Sequence, residues 1–594
     1  MTIDQRILKL RDLLKKTKID AYIIPTNDPH QSEYVADHWK SREWISGFTG
    51  SAGVVVVTAD HAGLWTDSRY YLQAGKELAK SEVKLHKQKV QGAPEYIQWL
   101  VENLPEGSKI GCFGMLFSIG QTKRYQKILA KKSMELVFTD DLIDKIWMER
   151  PPIPQHKIFA LPPKYTGQTR GEKIATVRNI LEEKKADYYL ITTLDDIAWV
   201  FNIRGTDVAC NPVAISYAVI GKEKSYLFTG KGKVPAKLAK ALHKDGIEIA
   251  GYYDINAFLK SIPHTETIYI DAGSTSSQLY NDIQSASIHS DKNIIRPLKA
   301  IKNKTEVAWI KKAMLKDGIA LTKMFMWLEK TVKKRPVPET EVAEKLIEFR
   351  SERGNYHGES FDAIVGYKDN GAIVHYFPEK EACANIKNKG MLLVDSGGQY
   401  TEGTTDITRT ITLGKPTKEQ KRNFTLVLKG HIALGSIVFP KGTKGVQLDT
   451  LARMFLWNNR LNYGHGTGHG VGFFLNVHEP PQGIIPGLGQ RGVTVFEPGM
   501  FTSNEPGFYK EGAYGIRIEN LVLCVEDKKN EFGDFLKFDT LTLFPIDLNL
   551  IDKKIMEKHE IKWLNKYHKK VFNKIAPHLA KKEKAWLKKK CRAI

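Results

Sequence analysis

At 594 residues the chain is too long for one hydrophobic core, and its 42% apolar content is ordinary for globular protein, so two to four folded domains are expected. Its formal charge of +22 raises nucleic-acid or membrane binding, yet the lysines are spread along the chain and no nucleic-acid motif accompanies them, which makes a solvated surface the reading and an acidic partner the alternative. The N-terminus has no apolar secretory core, runs such as 52–58 and 391–394 fall far short of the roughly 18 residues that span a bilayer, and Cys112, Cys210, Cys383, Cys524 and Cys591 lack CxxC or CxH spacing; together these point to a soluble protein of the reducing cytoplasm.

In chain order, a helix over 10–18 leads into a buried strand over 19–26, then a Trp44-containing helix ending at Gly, then a hairpin over 53–59 and 63–67. The same order returns: helix 174–185, strand 186–193, a Trp199-containing helix ending at Gly205, and a hairpin over 214–220 and 224–229. Two related α/β domains are predicted, over 1–154 and 155–300, separated by the Pro-rich joint Arg150-Pro151-Pro152-Ile153-Pro154. A third region opens near Lys302, where Val307, Ile310, Met314, Leu321, Phe325 and Leu328 keep helical spacing after a Thr305 cap. Helices over 339–353, 418–434 and 446–457 alternate there with strands joined by Gly-rich turns, so 301–545 reads as an α+β domain of mostly antiparallel strands. The remainder, 546–594, is helical and basic, with Trp586 and Leu587 between lysine runs.

The chemistry concentrates in this third region. Gly390-Met391-Leu392-Leu393-Val394-Asp395 is a buried strand closed by a carboxylate, and Asp406 opens the next strand after a turn containing Gly403, so a hairpin would set the two acids across from each other. Such acids repel unless protons or cations lie between them. In Tyr463-Gly464-His465-Gly466-Thr467-Gly468-His469-Gly470, glycine at every second position lets the backbone run close to an ion or substrate beside two histidines. Glu505 and Glu519 add two more acids, and the alternation of Ile516 and Ile518 with Arg517 and Glu519 puts both charged groups on one strand face. Four carboxylates and one imidazole suit Mn²⁺ or another divalent first-row ion, and a pair of ions needs bridging carboxylates.

The ordered set Asp395, Asp406, His469, Glu505 and Glu519 resembles the pita-bread metallopeptidases, the fold of methionine aminopeptidase, prolidase and aminopeptidase P. The spacing matches the aminopeptidase P pattern: 11 between the aspartates (406 − 395) and 14 between the glutamates (519 − 505). Ser46-Gly47-Phe48-Thr49-Gly50-Ser51-Ala52-Gly53 and Trp65-Thr66-Asp67-Ser68-Arg69-Tyr70 are similar to the N-terminal domain of the long, three-domain cytosolic Xaa-Pro aminopeptidases. The resemblance implies two creatinase-like N-terminal domains before a pita-bread catalytic domain. It implies an enzyme that hydrolyses the N-terminal Xaa-Pro bond of peptides by attack of a hydroxide bridging two divalent ions, most simply Mn²⁺.

On that resemblance Asp395 binds one ion bidentately, Asp406 and Glu519 bridge the pair, His469 and Glu505 complete the other ion, and Glu505 also shuttles the proton. His375, His465 and His478 match the family's substrate histidines: His478 or His375 would stabilise the oxyanion, and His465 would line the proline pocket. Arg517 would orient the carboxylates at the substrate site, the alternative being a surface arginine. A homodimer is expected from the family. Prolidase, with the same five ligands, and a metal-free binding module on this fold are the competing readings.

Overall fold

The structure, a computed structural model, describes residues 1–89 and 93–594. It comprises two compact units, one of residues 1–163 and 168–295, the other of 164–167 and 296–594.

The first unit contains two six-stranded sheets with one strand order. Neighbours in the first are Lys84–Lys87, Ala62–Thr66, Val54–Thr58, Ala21–Pro25, Lys109–Phe113 and Glu135–Thr139; in the second they are Ile247–Gly251, Ser225–Thr229, Ser216–Gly221, Tyr188–Ile191, Thr267–Ile270 and Ser287–Ser290. The central strand of each sheet pairs antiparallel on one side and parallel on the other. Ala21–Pro25 is buried throughout, the condition of a strand covered on both faces, which is why it reads as an unbroken apolar run. Helix Ile3–Thr17 lays Ile7, Leu10 and Leu14 onto this core at three- and four-residue spacing.

The Trp44 helix, Ser41–Ser46, closes on Gly47 at φ +74°. Its counterpart, Leu194–Val200, stops short of the expected Gly205, because Asn202 takes the left-handed turn at φ +50°. Asparagine tolerates that conformation, and here its side chain also accepts from Lys173 Nζ at 2.8 Å and donates to the Gln168 carbonyl at 2.8 Å.

In the second unit, helix Lys304–Thr331 is capped by Asn303 rather than by the expected Thr305. Asn303 Oδ1 accepts from the amides of Thr305 and Glu306, and the Glu306 carboxylate accepts from the Asn303 amide in return. That reciprocal pair satisfies helix-end donors which Thr305, already inside the first turn, cannot reach. Every strand pair of this unit among the described residues is antiparallel, as the turn spacing predicts. Two sheets frame the candidate site. One holds Ile364–Tyr367, Met391–Ser396 and Ile407–Thr412; the other runs Val438–Pro440, Gly533–Thr540, Asn520–Asn530, Phe501–Asn504, Gly468–Gly470 and Glu479–Ile484.

The segment between Arg517 and Asn520 joins the two sheets. The Glu519 amide donates to the Thr408 carbonyl at 3.1 Å, and the Arg517 amide donates to Thr410 Oγ1 at 3.0 Å. Helix Lys418–Ser436 backs this junction with Phe424, Val427 and Leu428, and the C-terminal helices Lys558–Ile575 and Lys581–Lys590 add Leu564, Val571, Ile575 and Leu587 to the same core. In the last helix Lys581, Lys582, Lys584, Lys588 and Lys589 are exposed around one buried leucine, while Lys590 is half-buried and pairs with Glu329. Among the described residues, no helix is long and apolar enough to cross a membrane.

Candidate metal centre

Asp395 lies in strand Met391–Ser396, in register with Thr408 of Ile407–Thr412. The expected hairpin therefore does not put Asp395 opposite Asp406. Short strands Gly398–Tyr400 and Gly403–Thr404 intervene, and Asp406 sits just before the second strand, two positions from the register partner. Both acids still enter one cluster. Ligand-type atoms of Asp406, His469 and Glu519 all lie within 4.8 Å of one another, with His469 Nε2 3.6 Å from Asp406 Oδ2 and 3.2 Å from Glu505 Oε1. Asp395 joins through Arg517, whose Nη2 and Nε donate to Asp395 Oδ2 at 2.6 and 3.1 Å.

The glycines around His469 serve a purpose other than the one their spacing suggests. A Cβ on Gly468 would stand 2.0 Å from the Ser503 carbonyl oxygen, and one on Gly470 would stand 2.3 Å from that of Glu479. The room is taken by the two flanking strands, so glycine lets Gly468–Gly470 thread between them and carry His469 inward. His469 Nδ1 lies 3.0 Å from the Gly470 carbonyl and donates to it, which turns Nε2 toward the acids. The preceding loop is held by helix Gly445–Trp457. Arg453, paired with Asp449 at 2.6 Å, donates to the carbonyls of Tyr463 and His465, and Asp449 Oδ1 accepts from Thr467 Oγ1 at 2.6 Å.

The cluster carries more negative charge than its protein partners cancel. Burial, reinforced by Glu519, Asp395 and Glu505, pushes the Asp406 carboxyl well above the usual range; burial with Asp395 and Glu505 does the same to Glu519. Burial also raises Asp395, against the opposing pull of Arg517. Glu505 is the exception: burial opposes its ionisation, but the hydrogen bond and charge of His469 outweigh it and hold the carboxyl at about 2. In the same pair, burial lowers His469 while Glu505 raises it, and the net direction is up. Asp395 Oδ1 and Glu519 Oε1 are buried without a hydrogen-bond partner. Bare oxygens inside a ring of carboxylates, with an imidazole nitrogen aimed among them, fit hard divalent cations and fit no hydrogen-bonded core.

Of the remaining site candidates, His478, His465 and Arg517 lie around this cluster. The His478 ring stands edge-on to His469, with centroids 4.3 Å apart. His465 Nε2 is 2.8 Å from Tyr509 OH, and that hydroxyl accepts from Arg517 Nη1 at 2.6 Å, so His465, Tyr509, Arg517 and Asp395 form one chain. Burial drops His465 to about 4, which keeps it neutral at physiological pH. Arg517 is buried and its donors are turned onto Asp395, Thr408, Tyr509 and the Val374 carbonyl, which rules out the surface arginine weighed as its alternative. His375 follows Val374 in a stretch without regular structure.

Several supporting residues escape the sequence pattern. Thr408 Oγ1 accepts from Arg517 and donates to Glu519 Oε2 at 2.9 Å. Arg409 donates to Asn520 Oδ1, to the carbonyls of Glu519, Phe544 and Pro545, and to Tyr567 OH of helix Lys558–Ile575. His431 ties the residues beside the two glutamates: Asn504 Nδ2 donates to its carbonyl and Asn520 Nδ2 to its Nε2. The available signal is an arginine in a strand that is otherwise Ile and Thr, since a charge buried there demands acceptors.

Residues 308–526 match metallopeptidase family M24, and 534–594 match the C-terminal region of that peptidase group. Residues 6–148 and 149–306 each match a creatinase/prolidase N-terminal domain. Xaa-Pro aminopeptidase 1 of Dictyostelium discoideum is 41% identical over 100% of this chain and 97% of its own. The probable Xaa-Pro aminopeptidase P of Laccaria bicolor is 41% identical over 99% of this chain and 93% of its own. The chain belongs to the Xaa-Pro aminopeptidases. Among solved structures, the X-prolyl aminopeptidase of Caenorhabditis elegans, described as a cytosolic enzyme with a di-nuclear active site, matches with a TM-score of 0.95 at 35% identity over 100% of both chains. The likeness to an Xaa-Pro aminopeptidase thus runs through both N-terminal domains and the C-terminal region, as the Ser46–Gly53 and Trp65–Tyr70 motifs imply.

Proposed function

We propose that this Xaa-Pro aminopeptidase removes the N-terminal residue from peptides whose second residue is proline, at a centre of two divalent ions held by Asp395, Asp406, His469, Glu505 and Glu519. The observation that carries the reading is the buried excess of carboxylate, with bare oxygens on Asp395 and Glu519 and with His469 Nε2 turned toward Asp406 and Glu505. Mn²⁺ suits a set of hard oxygens with one imidazole. Bound there, divalent cations supply Lewis acidity for the scissile carbonyl and bring the pKa of water toward neutrality.

The protein's own groups do the rest. Glu505, ionised through the neutral range, accepts the proton of the attacking water and passes it to the departing proline nitrogen. His478 or His375 donates to the oxygen on which charge develops. His465, neutral and fixed by Tyr509, offers an uncharged ring to the pyrrolidine of proline. Arg517 fixes the orientation of Asp395, facing the substrate site from behind it.

Domain boundaries at 154, 300 and 545 accompany this reading; the family matches over 6–148, 149–306, 308–526 and 534–594 support the same four parts in the same order, with divisions set some residues away. The enzyme works on free peptides as a homodimer and does so in the cytosol, the last supported by the relative described as cytosolic. Initial rates on an Xaa-Pro-Xaa tripeptide and the matching Xaa-Pro dipeptide test the substrate. Cleavage of the tripeptide after its first residue is expected, and turnover of the dipeptide alone would replace this reading with prolidase.

A further inference from the structure

Glu339 opens helix Glu339–Ser351 and is fully buried, yet among the described residues no cation pairs with it. Its carboxylate collects four donors from one stretch of chain. The Tyr367 amide donates to Oε1 at 2.7 Å, Asn370 Nδ2 lies 3.2 and 3.1 Å from the two oxygens, Tyr376 OH donates to Oε2 at 2.8 Å, and the Ala384 amide donates to Oε2 at 2.7 Å. The Glu339 amide in turn donates to the Ala384 carbonyl at 3.1 Å. Both ends of the segment 367–384 are therefore pinned to one side chain. Past the short helix Lys368–Ala372 the segment has no regular structure until 385, so backbone hydrogen bonding alone does not fix its path.

His375 lies in the middle of that segment, and each of its neighbours is gripped by a buried charge. Val374 offers its carbonyl to Arg517 Nη2 at 3.4 Å, on the side of Asp395, and Tyr376 gives its hydroxyl to Glu339. We infer that Glu339 is a positioning residue that, through Tyr376 and the backbone of 367–384, sets the place of His375 over the metal centre. The inference rests on the role given to His375 above. Burial raises the Glu339 carboxyl despite its four donors, and burial together with Glu339 raises the Tyr376 phenol, so the phenol stays a donor at every working pH.

Glutamine at 339 keeps the shape but replaces one acceptor oxygen with an amide NH2 whose donors meet donors head-on, so the grip fails without a cavity. Phenylalanine at 376 removes only the link adjacent to His375. The test is a double-mutant cycle on full-length, metal-loaded enzyme with a tripeptide substrate: Glu339→Gln and Tyr376→Phe, each with His375 and with His375→Ala. Glu339→Gln is expected to lower kcat/KM about tenfold or more, and Tyr376→Phe less, with bound metal unchanged. In the His375→Ala background neither substitution should lower it further.

A loss of equal size in both backgrounds would overturn the inference and make Glu339 a general support of the fold. Wild-type kcat/KM for Glu339→Gln beside an impaired His375→Ala would overturn it while leaving the role of His375 intact. Wild-type kcat/KM for His375→Ala would remove both.

Discussion

Asp395 and Ser396 are neighbours in one buried strand, and their side chains leave it on opposite faces into two kinds of polar interior. On the Ser396 side, the Arg350 guanidinium is fully buried and completely matched. It pairs with Asp317 at 2.8 Å, donates to Ser396 Oγ and the Gly397 carbonyl at 3.1 Å each, and Asp317 also accepts from Tyr400 OH at 3.2 Å. On the Asp395 side, four carboxylates share one guanidinium and one imidazole, and two of their oxygens bond to nothing. A fold that closes its charges so tightly on one face of a strand leaves them open on the other because something from outside closes them.

Substitutions on the two faces should therefore fail in different ways. Asp406→Asn is expected to lower kcat/KM at least about a thousandfold, the loss of several kcal/mol of transition-state stabilisation, while leaving the metal-free chain no less resistant to denaturant, since one repelling charge has gone. Arg350→Met is expected to do the reverse on the other face. Chemical denaturation should show a loss of about 3–5 kcal/mol, with or without metal, because Asp317 is left buried and unpaired. Similar denaturation curves for the two variants would erase the distinction between the faces.

A smaller effect separates them again. Adding Mn²⁺ at about a hundred times its dissociation constant should stabilise the wild type by about 2.7 kcal/mol and Arg350→Met by the same amount, and should leave Glu519→Gln nearly unmoved. Thermal melts read all three.

Buried histidines provide a third treatment of charge, exclusion rather than pairing. Burial, reinforced by Arg409, holds His431 and His568 at about 3, and His568 Nε2 accepts from the Ile546 amide. The unfolded chain takes up protons near 6.5 and the folded one does not. Stability is therefore fully present above about pH 6.5 and declines as pH falls toward 3, by about 1.4 kcal/mol per unit for each histidine. His568→Gln should flatten that slope by one histidine's share, and an unchanged slope in pH-dependent denaturation would mean that His568 is charged in the fold.

Much of this contrast can be read along the chain before it folds. The paired acids, the His469 run and the two glutamates stand in short motifs, and the repeated helix-strand-hairpin order anticipates the twin sheets of the first unit. What stays hidden depends on register and on distant partners. The offset of Asp406 follows from two short strands inserted between longer ones, and the Gly468 and Gly470 contacts belong to strands that arrive from either side. Arg409, His431 and Glu339 look like ordinary residues of a strand and two helices until the acceptors and donors that surround them are in place. Helix ends are similarly local: Asn303 displaces Thr305 as a cap because one side chain reaches two amides.

Metal content measured together with activity bears most directly on the claim that open carboxylates mark a dinuclear centre. Chelated and dialysed wild-type enzyme should be inactive, take up about two Mn²⁺ per chain and recover its rate in step with uptake. Full turnover by a protein shown by elemental analysis to carry no divalent ion would contradict the account.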